Sequence, residues 1–230
     1  TPPTRDTLSL HDALPISREG WRIAVSLIDS LQKDRSQAAS MIEALQLCSE
    51  AERQAQFFLA DQQINSVLST SAGRLFDGIS AILGICRAST FEGQASMALQ
   101  FAAEAWEKDH PAPDVTPMAP IHGQDRLLLP TGVLVRQVLE GRLAGEAVGC
   151  LAYAFHQGLA AMIAGACLAV QEETGLHAVA LSGGVFQNRL LLRLCDQTLQ
   201  HLGFTVLKHS TVPPNDGGIA LGQAVYAAYT

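Results

Sequence analysis

The first part of the chain shows the apolar spacing of helices. Trp21, Val25 and Ile28 recur at intervals of three and four residues, which places them on one side of a helix. The segment 38–61 is rich in Ala, Gln, Leu and Glu, all of which favour helices. We therefore predict a helical N-terminal region. Further helices are predicted in the middle of the chain, at 94–106, 131–142 and 146–174.

The last part of the chain changes character. Ala178–Leu181 is a short apolar run that ends at a serine and two glycines, as expected of a strand followed by a turn. A segment with helical spacing follows, and Gly203 ends it. The run 204–208 is rich in strand-forming residues, and Ile219–Tyr229 is again helical. The order β-α-β-α predicts a parallel sheet faced by helices. The apolar face of the first of these two helices consists of Leu191, Cys195, Leu199 and Leu202.

A proline-rich connector and a long apolar stretch lie between these parts. The five prolines within 108–130 remove amide donors and fix φ, so an irregular connector is expected. The stretch 147–170 is long enough for a membrane span of about 20 residues. However, His156 and Gln157 lie in its middle, and no Lys or Arg flanks it closely. We predict a buried core helix here and no membrane association.

The composition excludes several classes of function. The chain has 230 residues, 48% apolar and 16% charged, which is enough for a sizeable core. Its net charge of −7 argues against nucleic acid as a partner, because phosphate backbones require clustered Lys and Arg. The five cysteines form no CxxC motif, and no two of the seven histidines have the spacing of helical metal ligands. Free thiols in a cytoplasmic protein are expected, and any metal would need ligands from elsewhere.

The N-terminal segment differs from the rest of the chain. Residues 1–17 show no helical period and carry prolines at positions 2, 3 and 15. The segment resembles translated adaptor sequence, so we predict a non-native leader, with a native disordered leader as the alternative. The remaining residues, 18–230, are expected to form the folded portion.

The first polar motif follows the first predicted strand. Ser182, Gly183 and Gly184 stand where that strand gives way to a helix, which begins near Asn188. Glycines let backbone amides approach a ligand closely, and a helix N-terminus carries partial positive charge that favours phosphate. The alternative is a tight turn in which Asn188 only caps the helix. Local rules leave both interpretations open.

The second motif, Val-Pro-Pro-Asn-Asp-Gly-Gly at 212–218, precedes the last helix. The prolines stiffen its approach, and the residues that follow tolerate positive φ. Asp216 could therefore be held facing a ligand, where its carboxylate could coordinate a metal. The alternative is a polar turn in which Asp216 caps the helix at Ile219.

The third motif lies on a predicted helix that follows the hydroxyl residues 69–71 and reaches about Leu83. Its apolar side holds Leu75, Ile79, Ile82 and Leu83, and its other side holds Arg74, Asp77, Gly78 and Ala81. The small polar side could admit a ligand, with Arg74 and Asp77 offering a cation and a carboxylate. A solvated helix face with an i,i+3 ion pair is the alternative.

Taken in order, the segments TSSAGRLFDGISAILGICR, ALSGGVFQNRLLL and VPPNDGGIALGQA resemble the C-terminal domain of the HypF hydrogenase maturation carbamoyltransferases. REGWRIAVSLI and FEGQASMAL resemble the same family, so the similarity covers 18–229. That domain is similar to the tRNA threonylcarbamoyltransferases, and both belong to the actin-like ATPase (ribonuclease H-like) fold class. The resemblance implies a partial α/β fold of this class, with a helical N-terminal region and a C-terminal β-α-β-α unit.

The resemblance also implies a reaction. Carbamoyl phosphate and ATP give a carbamoyl adenylate, whose carbamoyl group passes to the C-terminal cysteine of the partner HypE and later becomes a cyanide ligand in [NiFe]-hydrogenase. The positions that match the family's nucleotide-binding residues are Arg74, Asp77, Ser182, Gly183, Gly184 and Asn188. Asp216 matches a carboxylate that, together with two histidines, holds a divalent metal. No residue is assigned to catalysis.

The sequence departs from the family pattern in its first half. The two metal histidines lie on a histidine-rich helix of the family that has no counterpart here, and the family's acylphosphatase, zinc-finger and YrdC-like domains are also absent. We therefore expect a fragment that depends on upstream domains of a longer enzyme. Two other functions stay open, a tRNA threonylcarbamoyltransferase relative and a non-catalytic nucleotide-binding or scaffold module.

Overall fold

The structure is a computed structural model that describes residues 10–11, 18–64, 68–111, 117–123 and 126–229. Apart from Leu10–His11, the predicted leader lies outside these residues. The helices are α1 (Gly20–Leu31), α2 (Arg35–Ala44), α3 (Glu50–Asp61), α4 (Ala72–Ile82), α5 (Gln94–Glu107), α6 (Thr131–Leu143), α7 (Val148–Thr174), α8 (Arg189–His201) and α9 (Ile219–Tyr229). The strands are β1 (Leu10–His11), β2 (Leu68–Ser69), β3 (Ile121–His122), β4 (Leu127–Leu128), β5 (Ala178–Leu181) and β6 (Thr205–Lys208).

The predicted helical N-terminal region is confirmed, with a break that the composition did not reveal. α2 ends at Ala44 with Leu45 as its C-cap, and Gln46 follows with a positive φ of 53°. α3 then starts at Ser49, whose hydroxyl accepts from the Glu52 amide, while the Glu52 carboxylate accepts from the Ser49 amide. This reciprocal capping fixes the start of α3.

α1 and α4 pack closely because α4 presents a glycine to its neighbour. A Cβ on Gly78 would lie 2.5 Å from Leu27 Cδ1 and 3.0 Å from Ile23 Cγ2. Gly78 and Ala81 are both buried. The interpretation of this side of α4 as a small face open to a ligand is therefore wrong at these two positions, because both are buried and α1 covers Gly78.

α7 is the central helix of the core, and the prediction of a buried helix there is confirmed. Neighbouring residues pack directly against three of its glycines, where a Cβ would clash with them. Trp106 packs against Gly149, Leu134 against Gly158, and the main chain of Met118 against Gly165. By length and composition α7 could cross a membrane, with a mean hydropathy of 1.4, yet 61% of its most apolar window is buried inside the protein. Small residues therefore serve close packing against α5, α6 and the connector.

The connector between α5 and α6 is irregular apart from one short antiparallel pair. β3 pairs with β4, with Ile121 opposite Leu128. The Met118 amide donates to the Ala161 carbonyl of α7 at 3.2 Å, so the connector crosses the central helix at that point. Residues 112–116 and 124–125 of this segment lie outside the described part of the chain.

The C-terminal unit has the predicted order β5-α8-β6-α9. β5 and β6 are parallel, with Ala178 opposite Thr205 and Leu181 opposite Lys208. The predicted apolar face of α8 is buried or half-buried, and Gly203 follows the helix with a positive φ of 87°. The expectation that helices face the sheet holds for α8 only, since every described residue of α9 is exposed. The described fold is mostly helical with a small parallel sheet.

Candidate functional site

The parallel pairing of β5 and β6 brings two of the three motifs to one edge of the sheet. The carboxyl ends of neighbouring parallel strands lie side by side, and this edge is where α/β proteins bind ligands. The last paired residues are Leu181 and Lys208, so Ser182 and His209 follow next to each other. Ser182 Oγ lies 2.8 Å from His209 Nε2, and both side chains are exposed.

A main-chain hydrogen bond joins the two motif loops. The Gly183 amide donates to the Pro214 carbonyl at 2.8 Å. The loop 182–188 after β5 and the loop 209–218 after β6 are thus held in contact at the edge of the sheet. The order of the residues along the chain could not show this contact.

The glycine loop presents backbone amides. Gly183 has φ 98° and ψ 161°, a conformation that is essentially restricted to glycine. A Cβ on Gly183 or Gly184 would find nothing within 4 Å, so the space above the loop is open. The short helical turn Gly184–Gln187 follows, and no described residue accepts a hydrogen bond from the amides of Gly184 or Val185. Such unpaired amides at the start of a helical turn suit an anionic ligand.

Asn188 supports the loop from inside the protein. Asn188 is buried, and its backbone N–H donates to the Val185 carbonyl at 3.1 Å. Its Oδ1 accepts from the Leu191 amide at 2.9 Å and caps α8, while its Nδ2 donates to His156 Nε2 at 3.0 Å. The capping interpretation of Asn188 is therefore confirmed. A contact between this side chain and a nucleotide stays a prediction, for which the second Nδ2 hydrogen and the second lone pair of Oδ1 are left.

Asp216 begins the short turn Asp216–Gly218 just before α9. The cap of this turn is Asn215, whose side chain accepts from the Gly217 amide at 3.1 Å. The alternative in which the Asp216 side chain caps at Ile219 is therefore wrong. The Asp216 carboxylate is exposed and makes no hydrogen bond or ion pair with another described residue. Its role toward a ligand stays a prediction.

The described residues do not form a metal site by themselves. They contain no group of three or more His, Cys, Asp or Glu side chains placed to hold an ion. Asp216 would supply one carboxylate, and a divalent cation takes several oxygen or nitrogen ligands. The donor set of this part of the chain thus does not fit a metal without additional ligands, and no chemical step is assigned to one.

The third motif approaches the glycine loop through its aromatic residue. Arg74 Nη1 and Asp77 Oδ2 form an i,i+3 ion pair at 3.3 Å, with both side chains about one-fifth exposed. Between them, Phe76 contacts the His156 ring with a centroid distance of 5.3 Å, and His156 contacts Asn188. The ion pair of the alternative is present, but the face is not solvated, because Gly78 and Ala81 are buried. The role of Arg74 and Asp77 toward a nucleotide stays a prediction.

Sequence reasoning missed two histidines of this region. Spacing identifies histidines only as pairs of helical metal ligands, whereas His156 and His209 each stand alone in the sequence. His209 had a usable signal, because it is the residue after the second predicted strand, just as Ser182 follows the first. His156 had none beyond being a polar residue in an apolar helix.

A separate shallow cleft of about 450 Å³ lies between α5, α8 and β6. Its lining carries charges of both signs. Arg193 pairs with Glu107 at 2.5 Å, and Lys208 pairs with Asp196. Because these charges are largely paired within the protein, the cleft offers no concentrated field for an ionic ligand.

Comparison with known proteins decides the family. The family model for the second subdomain of the carbamoyltransferase Kae1-like domain matches residues 10–223. The chain belongs to this family. The carbamoyltransferase HypF of Rhodobacter capsulatus is 39% identical over 171 residues, which cover 74% of this chain and 21% of that protein. HypF2 of Cupriavidus necator is 32% identical over 232 residues, which cover 90% of this chain and 27% of that protein.

Solved structures of the HypF family share the fold. A full-length HypF in a phosphate- and nucleotide-bound form aligns with a TM-score of 0.81 and 29% identity, over 96% of this chain and 28% of that one. HypF of T. kodakarensis aligns with a TM-score of 0.73 at 21% identity, which shows the fold alone. The HypF resemblance predicted from the motifs is confirmed. The chain spans about a fifth to a quarter of the length of the curated relatives described above, from 21% to 27%.

Proposed function

We propose that this chain provides the nucleotide-binding and acyl-transfer region of a HypF-type carbamoyltransferase, with an actin-like fold and a cytoplasmic location. The observation that carries the proposal is the hydrogen bond from Gly183 to the Pro214 carbonyl, which unites the two motif loops at the ligand-binding edge of the sheet. The names of the relatives, all carbamoyltransferases HypF, favour this function over tRNA modification and over a scaffold role.

The proposed substrate is a carbamoyl adenylate derived from ATP, and the proposed acceptor is the C-terminal cysteine of HypE. In the transfer, the cysteine thiolate attacks the carbamoyl carbon, the bond from that carbon to the phosphate oxygen breaks, and AMP departs with the electron pair. The thiol proton is lost before or during the attack. Negative charge therefore grows on the phosphate, where hydrogen-bond donors stabilise it.

The chain's own residues can hold that phosphate. The amides of Gly184 and Val185 are available in the glycine loop, and the following turn adds its partial positive charge. Ser182 and His209 form a hydrogen-bonded pair beside them, so one hydroxyl or imidazole proton can be directed to a ligand oxygen. If the complete enzyme holds a divalent metal, Asp216 supplies one carboxylate to it, and the metal would neutralise phosphate charge.

The test is calorimetric titration of the purified chain with a non-hydrolysable ATP analogue. We expect binding in the parent protein and loss of at least about tenfold in affinity in Gly183→Ala, because the loop conformation excludes a Cβ. Gly203→Ala is the matched control, since Gly203 also has a positive φ with open space above it but lies after α8. Equal affinity in both variants, or no binding by the parent, would contradict the proposal.

A further inference from the structure

His156 is fully buried in the middle of α7, with 0% of its surface exposed. A buried polar group without a hydrogen-bond partner costs several times more free energy than one that is hydrogen-bonded. Each ring nitrogen of His156 is therefore expected to be hydrogen-bonded. Both nitrogens have partners. Nδ1 lies 2.8 Å from the Ala152 carbonyl one turn earlier in α7, and Nε2 lies 3.0 Å from Asn188 Nδ2.

The direction of this hydrogen-bond chain is fixed by its two ends. The Ala152 carbonyl can only accept, so Nδ1 of His156 carries the proton. The Leu191 amide can only donate, so it bonds to Oδ1 of Asn188 and leaves the Asn188 Nδ2 as a donor. Nε2 of His156 must therefore accept through its lone pair. One tautomer of neutral His156 satisfies every group in the chain.

Three elements hold the imidazole in place. Phe155 of α7 and Phe76 of α4 meet the ring edge-on, with centroid distances of 5.7 and 5.3 Å and interplanar angles of 76° and 70°. The two phenylalanine rings fix the plane of the imidazole. This plane directs Nε2 toward the side chain of Asn188 in the loop before α8. A rigid acceptor is thus aimed at the one side chain that both ends the glycine loop and caps α8.

We propose that His156 is a positioning residue for the glycine loop 182–188. It holds the Asn188 amide in the single orientation that caps α8, and it thereby keeps the unpaired loop amides where a phosphate can meet them. The part of this inference that concerns phosphate rests on the proposed function, whereas the part that concerns the loop does not. An apolar residue of similar size would fill the space but would leave Asn188 without an acceptor.

Two substitutions separate this role from simple packing. His156→Gln and His156→Asn both remove the aromatic ring, but the oxygen of Gln reaches near the position of Nε2, whereas the side chain of Asn ends near that of Nδ1. Only the Gln variant can therefore still accept from Asn188. Hydrogen exchange of the purified chain then reports the Leu191 amide and the loop amides, with α1 amides as an internal reference.

In the Asn variant we expect exchange at Leu191 and across the loop to rise about fivefold or more relative to the Gln variant, the size expected for a lost N-cap. Exchange in α1 should be equal in the two variants. Equal loop exchange in both variants, or an equal rise at every amide in the protein, would overturn the proposal.

Asn188→Ser gives a second measurement that does not depend on ring packing. Serine keeps an oxygen that can cap α8 but has no amide to donate to His156. In that background, Gln and Asn at position 156 should give the same loop exchange. A difference that persists without the Asn188 amide would show that His156 acts by another route and would overturn the proposal.

The nucleotide arm uses the non-hydrolysable ATP analogue on the same proteins. Affinity close to that of the parent in His156→Gln, with a loss of about fivefold in His156→Asn, would support the positioning of phosphate-binding amides. Equal affinity in both variants would refute that part. If the parent chain binds no analogue, the proposed function fails, and the exchange experiment still decides whether His156 positions the loop.

Discussion

Burial sets the protonation of His156. Desolvation lowers its pKa from the ordinary 6.5 to about 4, and the groups that face the ring are two phenylalanines and the uncharged Asn188. Protonation would also place a second N–H against the Asn188 amide, since Nε2 would become a donor. Asn188 would then have to turn and release the cap of α8. Acid therefore acts on the same contact that positions the glycine loop.

We predict that this group makes the protein lose stability below about pH 6.5. Between pH 6.5 and 4 the unfolded chain binds a proton that the folded state excludes. The contribution of His156 to the free energy of unfolding is therefore fully present above this range and is lost as the pH falls through it. The slope reaches about 1.4 kcal/mol per pH unit for one group. Urea unfolding at several pH values measures it.

The matched control is His156→Gln, which keeps an acceptor but does not titrate in this range. Protonation of carboxylates whose pKa is lowered, such as those of Asp34 and Asp61, also destabilises the protein in acid. This effect is the same in the parent protein and in the variant. The difference between the two profiles therefore isolates His156. Profiles that run parallel from pH 7.5 to 4.5 would refute the prediction.

A second prediction separates Asn215 from its neighbour Asp216. Asn215→Ala removes the side-chain acceptor of the Gly217 amide and should cost about 1 kcal/mol, a typical cap penalty. Asp216→Asn and Asp216→Ala should leave the melting temperature nearly unchanged, because the carboxylate contacts no other described residue. In the complete enzyme both Asp216 variants should weaken metal retention and carbamoyl transfer to HypE. Carbamoyl transfer at the parent rate by Asp216→Asn would show that Asp216 is only a turn residue.

At the scale of elements, glycines decide how closely α7 is packed. Position 165 is the extreme case, because a Cβ there would lie 1.8 Å from the Met118 carbonyl oxygen. A main-chain atom cannot move away as a flexible side chain can, so the connector itself would have to shift. In contrast, a Cβ on Gly73 of α4 would meet only Ser71 Oγ at 3.6 Å, an ordinary contact.

We therefore predict that Gly165→Ala destabilises the protein by about 1–3 kcal/mol, the usual cost of overpacking, despite the better helix propensity of alanine. Gly73→Ala should be neutral or slightly stabilising, because propensity acts there without a clash. Thermal unfolding of the two variants measures the contrast. A Gly165→Ala protein that melts at or above the parent temperature would show that Met118 does not lie against α7.

Most elements could be predicted from the sequence because periodicity, glycine and proline mark their ends. The helices from α4 to α9 begin and end within about three residues of the predictions, as is usual for such boundaries. The site was only partly predictable. Ser182 and the glycines were found from their place after a strand, but their contact with Pro214 depends on strand pairing, and the bond from Asn188 to His156 joins residues 32 positions apart.

The error on α4 has a similar cause. Amphipathic spacing separates an apolar side from a small polar side, but it does not say which neighbour covers the small side. Gly78 lies against α1 because two helices can approach closely there, and glycine serves such contacts as readily as it serves ligands. Tertiary packing, and not local pattern, decides between these uses.

At the scale of the whole molecule, the surface of α9 is strongly apolar. The large apolar side chains of α9 are about half to nine-tenths exposed: Ile219 53%, Leu221 52%, Val225 49%, Tyr226 73% and Tyr229 89%. Ala178, Ala180 and Leu207 on the sheet are also exposed. Exposed apolar side chains in this number mark an interaction site in soluble proteins. In the full-length HypF structure the matching region is 28% of the chain, so other parts of that protein are available to cover it.

The last prediction concerns this surface in the purified chain. We expect it to bind a hydrophobic dye while still folded and to self-associate as its concentration rises, because water contact with so much apolar area is unfavourable. The double variant Leu221→Ser, Val225→Ser should bind much less dye with an unchanged melting temperature, since no described residue of α9 is buried. Phe101→Ser is the control, because Phe101 of α5 is 61% exposed but lies on a different helix. A monomer that melts cooperatively and binds no dye, or a double variant that binds as much dye as the parent, would contradict the prediction.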